Sequence, residues 1–428
     1  MIKALGNAWS IPELRRKLIV TAVLIALYRL GAFVPLPGVN REALGAGLDT
    51  SGNAITGLFG IFTGGAFNNL SVFSLGIMPY ITSSIVMQLL TVAVPRLQEL
   101  AKEGETGQQK ITQYTRYLTL GLALLQSLAL VYFFRNGQAF PGVLTGATVL
   151  DSYLVVITLT AGTMLIMWIG ELITQRGLGN GISLLMAAAI LSRAPSAVQS
   201  LLEQGNVMNM VMLAVLAVVI IAAIVFVNEG QRRIPITYAK RQVGRRMTQG
   251  GTTYLPLKVN MAGVIPIIFA SSLLIFPAIL TQFAGGERDT ILGRIAMLFA
   301  PGNAPYLILY ALLVVMFTYF YTAVQFNPVE HADNLKKSGG YIPGIRPGQP
   351  TAVYLNTVLT RITLFGAIFL AAVAVLPYLI AGTMNLGNRI SLGGTSILIV
   401  VGVSLDMVRQ LESQLMMRNY EGFLNRKR

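Results

Sequence analysis

Long apolar runs separated by short polar segments dominate the pattern of this chain. About 20 apolar residues in a helix cross a bilayer core about 30 Å thick, and ten runs come close to that length. The pattern therefore predicts ten membrane-spanning helices, at residues 18–34, 71–93, 117–134, 153–173, 183–202, 208–227, 261–281, 304–324, 353–379 and 391–408.

Two of these runs share one interruption. "GIMPYITSS" begins at Gly76 in the second run, and "GVIPIIFASS" begins at Gly263 in the seventh. A second pair, "GISLL" at 181–185 and "GTSIL" at 394–398, opens the fifth and tenth runs. Five spans is an odd number, so two copies in series enter the bilayer in opposite orientations, as an inverted repeat. We expect an all-α polytopic membrane protein with halves at 1–205 and 206–412 and a tail at 413–428.

The prolines of the interrupted runs are expected to face protein or a water-filled cavity, because a lipid-facing helix cannot leave a freed carbonyl unsatisfied. Apolar residues one turn apart share a helix face. Two interpretations are open for this face: ordinary helix packing, or an apolar constriction that excludes water without selecting a solute. The residues are Ile77 and Ile81, Val264 and Ile268, Ile182 and Met186, with Ile399 on the tenth run.

The amino-acid composition limits which metal sites, disulfides and cofactor sites the chain can form. Apolar residues make up 54% of the chain and charged residues 11%, where a soluble domain has about 25% charged residues. The chain has no cysteine and one histidine, His331, so thiolate metal sites and disulfides are excluded. No glycine-rich phosphate loop with a lysine is present. We expect neither a cofactor nor a metal.

The basic residues predict an orientation and a docking surface. The net charge is +15, and most Lys and Arg lie in segments on the same side as both termini, which the positive-inside rule places in the cytoplasm. Two loops on that side, 229–258 and 325–352, exceed a tight helix connection, and alternation in "RRIPITYAKR" favours a short hairpin. RNA phosphate, lipid headgroups or an acidic protein would suit these loops, as would a role in orientation alone.

A glycine-rich apolar stretch, "TGLFGIFTGGAFNN", lies in the loop after the first run. It is too short to span the bilayer and suits a re-entrant segment. A movable stopper and a static flap are both open as interpretations.

Several long motifs occur in one order along the chain: "GIMPYITSSI", "EGETGQQKITQYTRY", "GNGIS", "EGQRRIPITYAKRQVGRR", "LPLKVNMAGVIPIIFASS", "FNPVEHADNLKKSGGYIPGIRPG" and "GGTSILIVVGV". With these motifs the chain resembles the SecY family, the channel subunits of the bacterial protein-conducting translocon, from about residue 10 onward. The resemblance implies a clam-shell of two inverted halves around an hourglass pore. It also implies a channel and not an enzyme, which passes unfolded polypeptides across the cytoplasmic membrane and releases signal sequences and transmembrane segments sideways into lipid.

The resemblance also assigns residues. The pore ring would be Ile77, Ile81, Ile182, Met186, Ile268 and Ile399, where Met186 departs from the family's aliphatic pattern. The plug, a stopper at about 57–69, would comprise Leu58, Phe59, Gly60, Ile61, Phe62, Thr63, Gly64, Gly65, Ala66 and Phe67. The lateral gate, between spans 2 and 3 on one side and 7 and 8 on the other, would include Gln88, Asn260 and Ser271.

The implied partners are the small subunits SecE and SecG, the motor ATPase SecA, the ribosome, signal peptides and preproteins, and membrane lipid. The motor or the ribosome would dock on Arg233, Lys240, Arg245, Arg246 and Arg346.

Two other classes of function compete with a channel. An ion-coupled secondary transporter with inverted repeats would be expected to hold charged residues at its binding site, and neither interrupted run contains one. An intramembrane protease needs a nucleophile and a base on facing helices. Ser183 is available, but His331 lies in a predicted loop.

Overall fold

The fold is known from a computed structural model that describes residues 11–39, 60, 63–135, 143–144, 148–203, 207–238, 241–243, 246–248, 251–283, 303–383 and 394–425. The helices are α1 Pro12–Gly31, α2 Met78–Ala93, α3 Pro95–Lys102, α4 Glu105–Arg135, α5 Val149–Arg176, α6 Gly181–Glu203, α7 Val207–Glu229, α8 Ile265–Phe283, α9 Ala304–Gln325, α10 Pro328–Lys337, α11 Gln349–Thr383 and α12 Gly394–Asn425. The strands are β1 Gln231–Tyr238, β2 Arg241–Val243, β3 Arg246–Thr248, β4 Thr252–Lys258 and β5 Gly340–Tyr341.

Each predicted apolar run overlaps one of the long helices. By length and composition alone, three stretches of the described residues are each able to cross a membrane: Val149–Arg176, Ala304–Lys337 and Gln349–Leu376. A fourth is added when α2 and α3, which meet at a 99° bend, are counted as one span. A mostly helical membrane protein follows from these stretches, and ten complete spans stay a prediction.

The Gly-x-x-Pro motif marks the start of a helix in both halves. Pro79 lies in the first turn of α2, and Pro266 is the second residue of α8. The expectation that Pro79 interrupts the hydrogen bonding inside a helix is therefore wrong, because a proline in the first turn replaces an N–H that has no helical partner. The preceding glycines, Gly76 and Gly263, have φ values of 59° and 64°, a region that favours glycine.

This shared turn shortens the second span. α2 has 16 residues, which is about 24 Å of helix against a bilayer core of about 30 Å. Ile77 occupies the cap position at the start of this short helix.

The two halves meet along their interrupted helices. α2 packs against α8, and α6 packs against α12, which also contacts α7. Close approach is built in by small residues, since Gly402 of α12 leaves room for Val264 just before α8. The main apolar core fills this central contact and draws on both halves.

A small sheet joins the two long loops. β1 pairs antiparallel with β4, with Gln231 opposite Lys258, and its other edge pairs with β5 from the second loop. Ile234 and Ile236 alternate with exposed neighbours and are buried. Ile234 belongs to a separate apolar core that includes Leu355 of α11. The predicted hairpin is confirmed, although the partner of β1 lies at 252–258 and not directly after "RRIPITYAKR".

Gly162 allows the backbone of residue 72 to lie directly on α5, because a β-carbon at Gly162 would overlap the carbonyl oxygen of Val72. We expect Gly162→Ala to lower the free energy of unfolding by about 1–3 kcal/mol through overpacking. Gly121 of α4 is the matched control, because a β-carbon there meets no atom within 4 Å. Gly121→Ala should raise stability by up to about 1 kcal/mol. Thermal unfolding in detergent measures both, and equal transition temperatures for the two variants would contradict the packing argument.

Candidate functional site

The six residues predicted as a ring come together in the structure. Ile77, Ile81, Met186, Ile268 and Ile399 are buried members of one apolar cluster, and Ile182 packs against it while remaining partly exposed. The cluster brings together side chains of α2, α6, α8 and α12, two helices from each half. Met186 is 2% exposed, so the longer thioether is accommodated among the isoleucines. The role of these residues as a pore ring stays a prediction.

The predicted plug packs directly beside this cluster. Leu58, Phe59, Ile61 and Phe62 lie outside the described residues, whereas Gly60 and 63–67 are described. The backbone of Gly64 lies against Ala189 of α6, and Ala66 belongs to the same apolar cluster as the ring. Because Ala189 is three residues after Met186, the described plug residues lie within about one helical turn of the ring.

Ser71 and Ser74 fix the other end of this segment. The Ser71 hydroxyl donates to the Ala66 carbonyl at 3.2 Å, and the Ser74 hydroxyl lies 3.0 Å from the same oxygen and 2.6 Å from the Ser71 carbonyl. Thr63, Ser71 and Ser74 are all fully buried, so the turn is held by polar side chains in an apolar surrounding, where such bonds are costly to break.

A cavity of about 330 Å³ opens next to the ring on the side of α6 away from the plug. We call it the gate cavity. The ring residues Ile81, Ile182, Met186 and Ile268 form its apolar wall, and Gln88, Arg116 and Glu171 are among its polar lining. Arg116 of α4 donates two hydrogen bonds to Glu171 of α5, at 2.8 and 2.7 Å. This bidentate arrangement pairs the two charges, with the Arg116 side chain 43% exposed and that of Glu171 16% exposed.

A second cavity of about 280 Å³ shares Asn180 and Ser183 with the first. We call it the loop cavity, because its lining includes Lys258, the last residue of β4. Its framework ties three segments together, since the Asn260 amide donates to Asn228 Oδ1 at 2.8 Å and to the Gly263 carbonyl at 3.2 Å. Arg409 of α12 bonds the Asn228 carbonyl at 2.6 Å and Glu229 at 3.0 Å. The network therefore joins the end of α7, the start of α8 and α12.

Cavity, ring and plug follow one another along a single helix. Asn180 and Ser183, at the start of α6, line the cavities. Ile182 and Met186 are ring residues, and Ala189 contacts the plug. At 1.5 Å per residue, this sequence of environments takes about 14 Å. From its start onward, α6 therefore contacts first the cavities, then the ring residues that also line one of them, and then the predicted plug.

The three residues predicted for the lateral gate have different surroundings. Gln88 lines the gate cavity beside the contact of α2 with α8. Ser271 is buried within α8, and its hydroxyl donates to the Ile268 carbonyl at 2.9 Å. Asn260 lies in the loop cavity, in the network with Asn228. The structure thus places only Gln88 and Ser271 on the two helices that meet, and the gate stays a prediction.

Of the basic residues predicted for docking, Arg233 on β1 and Arg346 in the second loop are exposed. Arg246 lies on β3, and its side chain is not described. Lys240 and Arg245 lie outside the described residues. Since β5 pairs with β1, Arg233 and Arg346 belong to loops that the sheet holds together.

Sequence reasoning missed the polar framework of both cavities. Arg116 and Glu171 lie at the ends of neighbouring apolar runs, and a single charged residue at a helix end carries little information by itself. The sequence did offer one signal, which is the combination of the two residues. Arg116 lies just before the third run and Glu171 lies near the end of the fourth, so consecutive spans place a base and an acid on the same side. His331 stacks on Phe326 at 4.2 Å, which accounts for the one histidine as a packing residue in the loop region.

Solved structures with the same fold define the class of architecture. The chain is similar to the structure of a protein-conducting channel, with a TM-score of 0.62 and 19% identity over 96% of each chain. It is also similar to Sec61 in the canine ribosome-channel complex from the endoplasmic reticulum, with a TM-score of 0.60 and 18% identity over 96% of each chain. The fold is therefore that of the protein-conducting channels.

Sequence relatives identify the family to which the chain belongs within that class. The sequence model of SecY matches residues 71–408. The protein translocase subunit SecY of Streptomyces scabiei is 47% identical, covering 99% of this chain and all of the relative. The subunit of the same name from Mycobacterium tuberculosis H37Rv is also 47% identical, with the same coverage. This chain belongs to the SecY family.

The apolar character of the ring gives a prediction at Ile399, which is 1% exposed. An asparagine amide without a partner there costs about 1–3 kcal/mol, and hydration of the constriction relieves that cost. We expect Ile399→Asn to raise the resting ion conductance of reconstituted channels roughly tenfold or more. Ile399→Leu keeps the ring apolar and should leave conductance near the wild-type value. Equal conductance of the asparagine and leucine variants in planar bilayers would argue against a water-excluding ring.

Proposed function

We propose that this chain is the central protein-conducting channel of a Sec translocon, which passes unfolded polypeptides across the cytoplasmic membrane. The observation that carries the proposal is the succession of cavities, uncharged ring residues and predicted plug along α6. A layer of aliphatic side chains seals by excluding water and selects no particular side chain, as a channel for varied sequences requires. Relatives covering the full length are protein translocase subunits, which supports the same function.

The ten spans form two inverted five-helix halves that close like a clam-shell, with both termini in the cytoplasm. The shared Gly-x-x-Pro helix starts of α2 and α8 support this arrangement, because the same turn with nearly equal φ occurs once in each half. The polar cavities then face the cytoplasm and the plug faces outward.

Signal sequences and transmembrane segments leave sideways between α2 and α4 on one side and α8 and α9 on the other. The contact of α2 with α8 supports a seam that is closed at rest. The gate cavity lies beside this seam with an apolar wall and a polar rim, which suits a signal sequence whose apolar segment follows a polar, basic start.

The two loops joined by the small sheet receive the driver of transport, either the motor ATPase SecA or the ribosome. Exposed Arg233 and Arg346 support this role, because the guanidinium group pairs with carboxylates and RNA phosphates alike. The similarity to Sec61 in a ribosome-channel complex supports the ribosome as one partner. SecE and SecG would complete the complex against the exposed apolar outer faces of the helices.

One observation favours an ion-coupled transporter as the second candidate. Arg116 and Glu171 line the gate cavity, and charged residues in such a position are typical of transport sites. The two groups bond each other at 2.7–2.8 Å, which leaves no free charge for an ion to meet. They also lie on α4 and α5 and not on the interrupted helices.

Protection of a precursor from protease tests the proposal. The chain is reconstituted with SecE in liposomes, and SecA, ATP and a precursor that carries a signal sequence are added. We expect the precursor to become resistant to external protease only when ATP is present. Absence of protection together with saturable uptake of a small solute would move the function to the transporter class.

The plug makes a second prediction, on ion leak. Removal of residues 57–69 takes away the segment that packs on Ala189 beside the ring, so the resting conductance in planar bilayers should rise while protease protection is retained. A deletion that leaves the conductance unchanged would support the static flap and not the stopper.

A further inference from the structure

An arginine from the first helix reaches the plug. Arg29 Nη1 of α1 donates a 2.8 Å hydrogen bond to the Gly64 carbonyl. The Ser192 hydroxyl of α6 lies 3.2 Å from the same oxygen and 2.7 Å from the Ala189 carbonyl, so its one proton is shared between two acceptors. Two helices that flank the plug thus hold a single backbone atom of it.

The arginine has no carboxylate partner among the residues that the structure describes. Its guanidinium group lies 5.2 Å from the centre of the Phe33 ring, and the residue is partly buried. An arginine within an apolar run is costly unless a polar group compensates it. Within the described residues, the hydrogen-bond partner that compensates Arg29 is the plug carbonyl.

Glycine at position 64 makes this contact accessible. The φ of Gly64 is 62°, which is unfavourable for residue types other than glycine. The Gly64 backbone lies directly against Ala189. Close by, a β-carbon at Gly60 would overlap the guanidinium group of Arg193. At Gly60 and Gly64 the plug therefore contacts its surroundings through backbone atoms, whereas Ala66 and Phe67 pack with their side chains in apolar clusters.

We propose that Arg29 is a positioning residue that latches the plug in the closed channel through the Gly64 carbonyl, with Ser192 as the second donor. This inference rests on the proposed function of 57–69 as a plug. A hydrogen bond from a charged donor is about twice as strong as one between neutral groups. In this bond the donor, Arg29, is charged, and the acceptor, a backbone carbonyl, is not. The latch therefore holds the plug without the strength of an ion pair, and displacement of the plug by an entering chain leaves a cation that the external water can solvate.

Arg29→Gln tests the latch by ion conductance in planar bilayers. Loss of this bond should raise the resting conductance about tenfold, the population shift expected from one charge-assisted hydrogen bond, with protease protection of the precursor retained. Ser192→Ala should raise it less, because it removes the longer, uncharged bond. Arg361→Gln is the matched control, since Arg361 also lies within an apolar run and its side chain is exposed on α11. It should leave conductance unchanged.

A labelling measurement separates plug release from general destabilisation. The chain has no cysteine, so Ala66→Cys introduces a single thiol at a plug residue that is 1% exposed. A membrane-impermeant maleimide applied from the external side should modify this thiol about tenfold faster when Arg29→Gln is also present. Thermal unfolding in detergent should be the same for Arg29→Gln and Arg361→Gln.

The outcomes distinguish the latch from the plug itself. Unchanged conductance and unchanged labelling in Arg29→Gln overturn the latch, even where deletion of 57–69 causes a leak. If the deletion causes no leak, the stopper role fails, and the labelling rate then decides alone whether Arg29 holds this segment. Faster labelling accompanied by a lower unfolding temperature than that of Arg361→Gln would assign Arg29 to general stability and overturn the latch as well.

Discussion

The structure depends on one constraint: in an apolar surrounding, every backbone N–H and C=O must find a partner inside the protein. The helices α2 and α8 meet this constraint at their starts with proline in the first turn, where the missing N–H is not needed. The turn ahead of each helix is closed by a glycine of positive φ. Irregular backbone is thereby placed between the two halves, where it is packed by protein. The ring, the cavities and the plug all lie beside these two helix starts.

The periodic parts of the fold were predictable from the sequence. Apolar runs determined the positions of the long helices because an apolar surrounding leaves the backbone few alternatives to a helix. The resemblance grouped the six ring residues, all of which belong to or pack against one apolar cluster, and their role as a pore ring stays a prediction. At Met186 the aliphatic pattern did not predict the packing, because the sequence alone marks this residue as an exception. Its place in the apolar cluster with the isoleucines shows that a flexible thioether fits there.

Contacts that depend on tertiary structure were not predictable. The proline of span 2 was expected inside a helix, and only the local backbone shows that the helix begins there. Arg116 and Glu171 are 55 residues apart, and no periodicity relates them. Asn260 was assigned to the gate from its position in a motif, while its bonds to Asn228 and Gly263 connect it to the loop cavity. In each case the partner is remote in sequence or is a backbone atom, which carries no residue identity for sequence reasoning to use.

The small sheet connects the two long loops by strand pairing. β5 of the second loop pairs with β1 of the first, and β1 and β4 run directly from α7 and towards α8. Only six residues separate the end of β4 from the start of α8, and the Asn260 network crosses that gap. A displacement of either loop is consequently shared by both. The Asn260 network connects that displacement to the start of α8, the helix that carries Ile268.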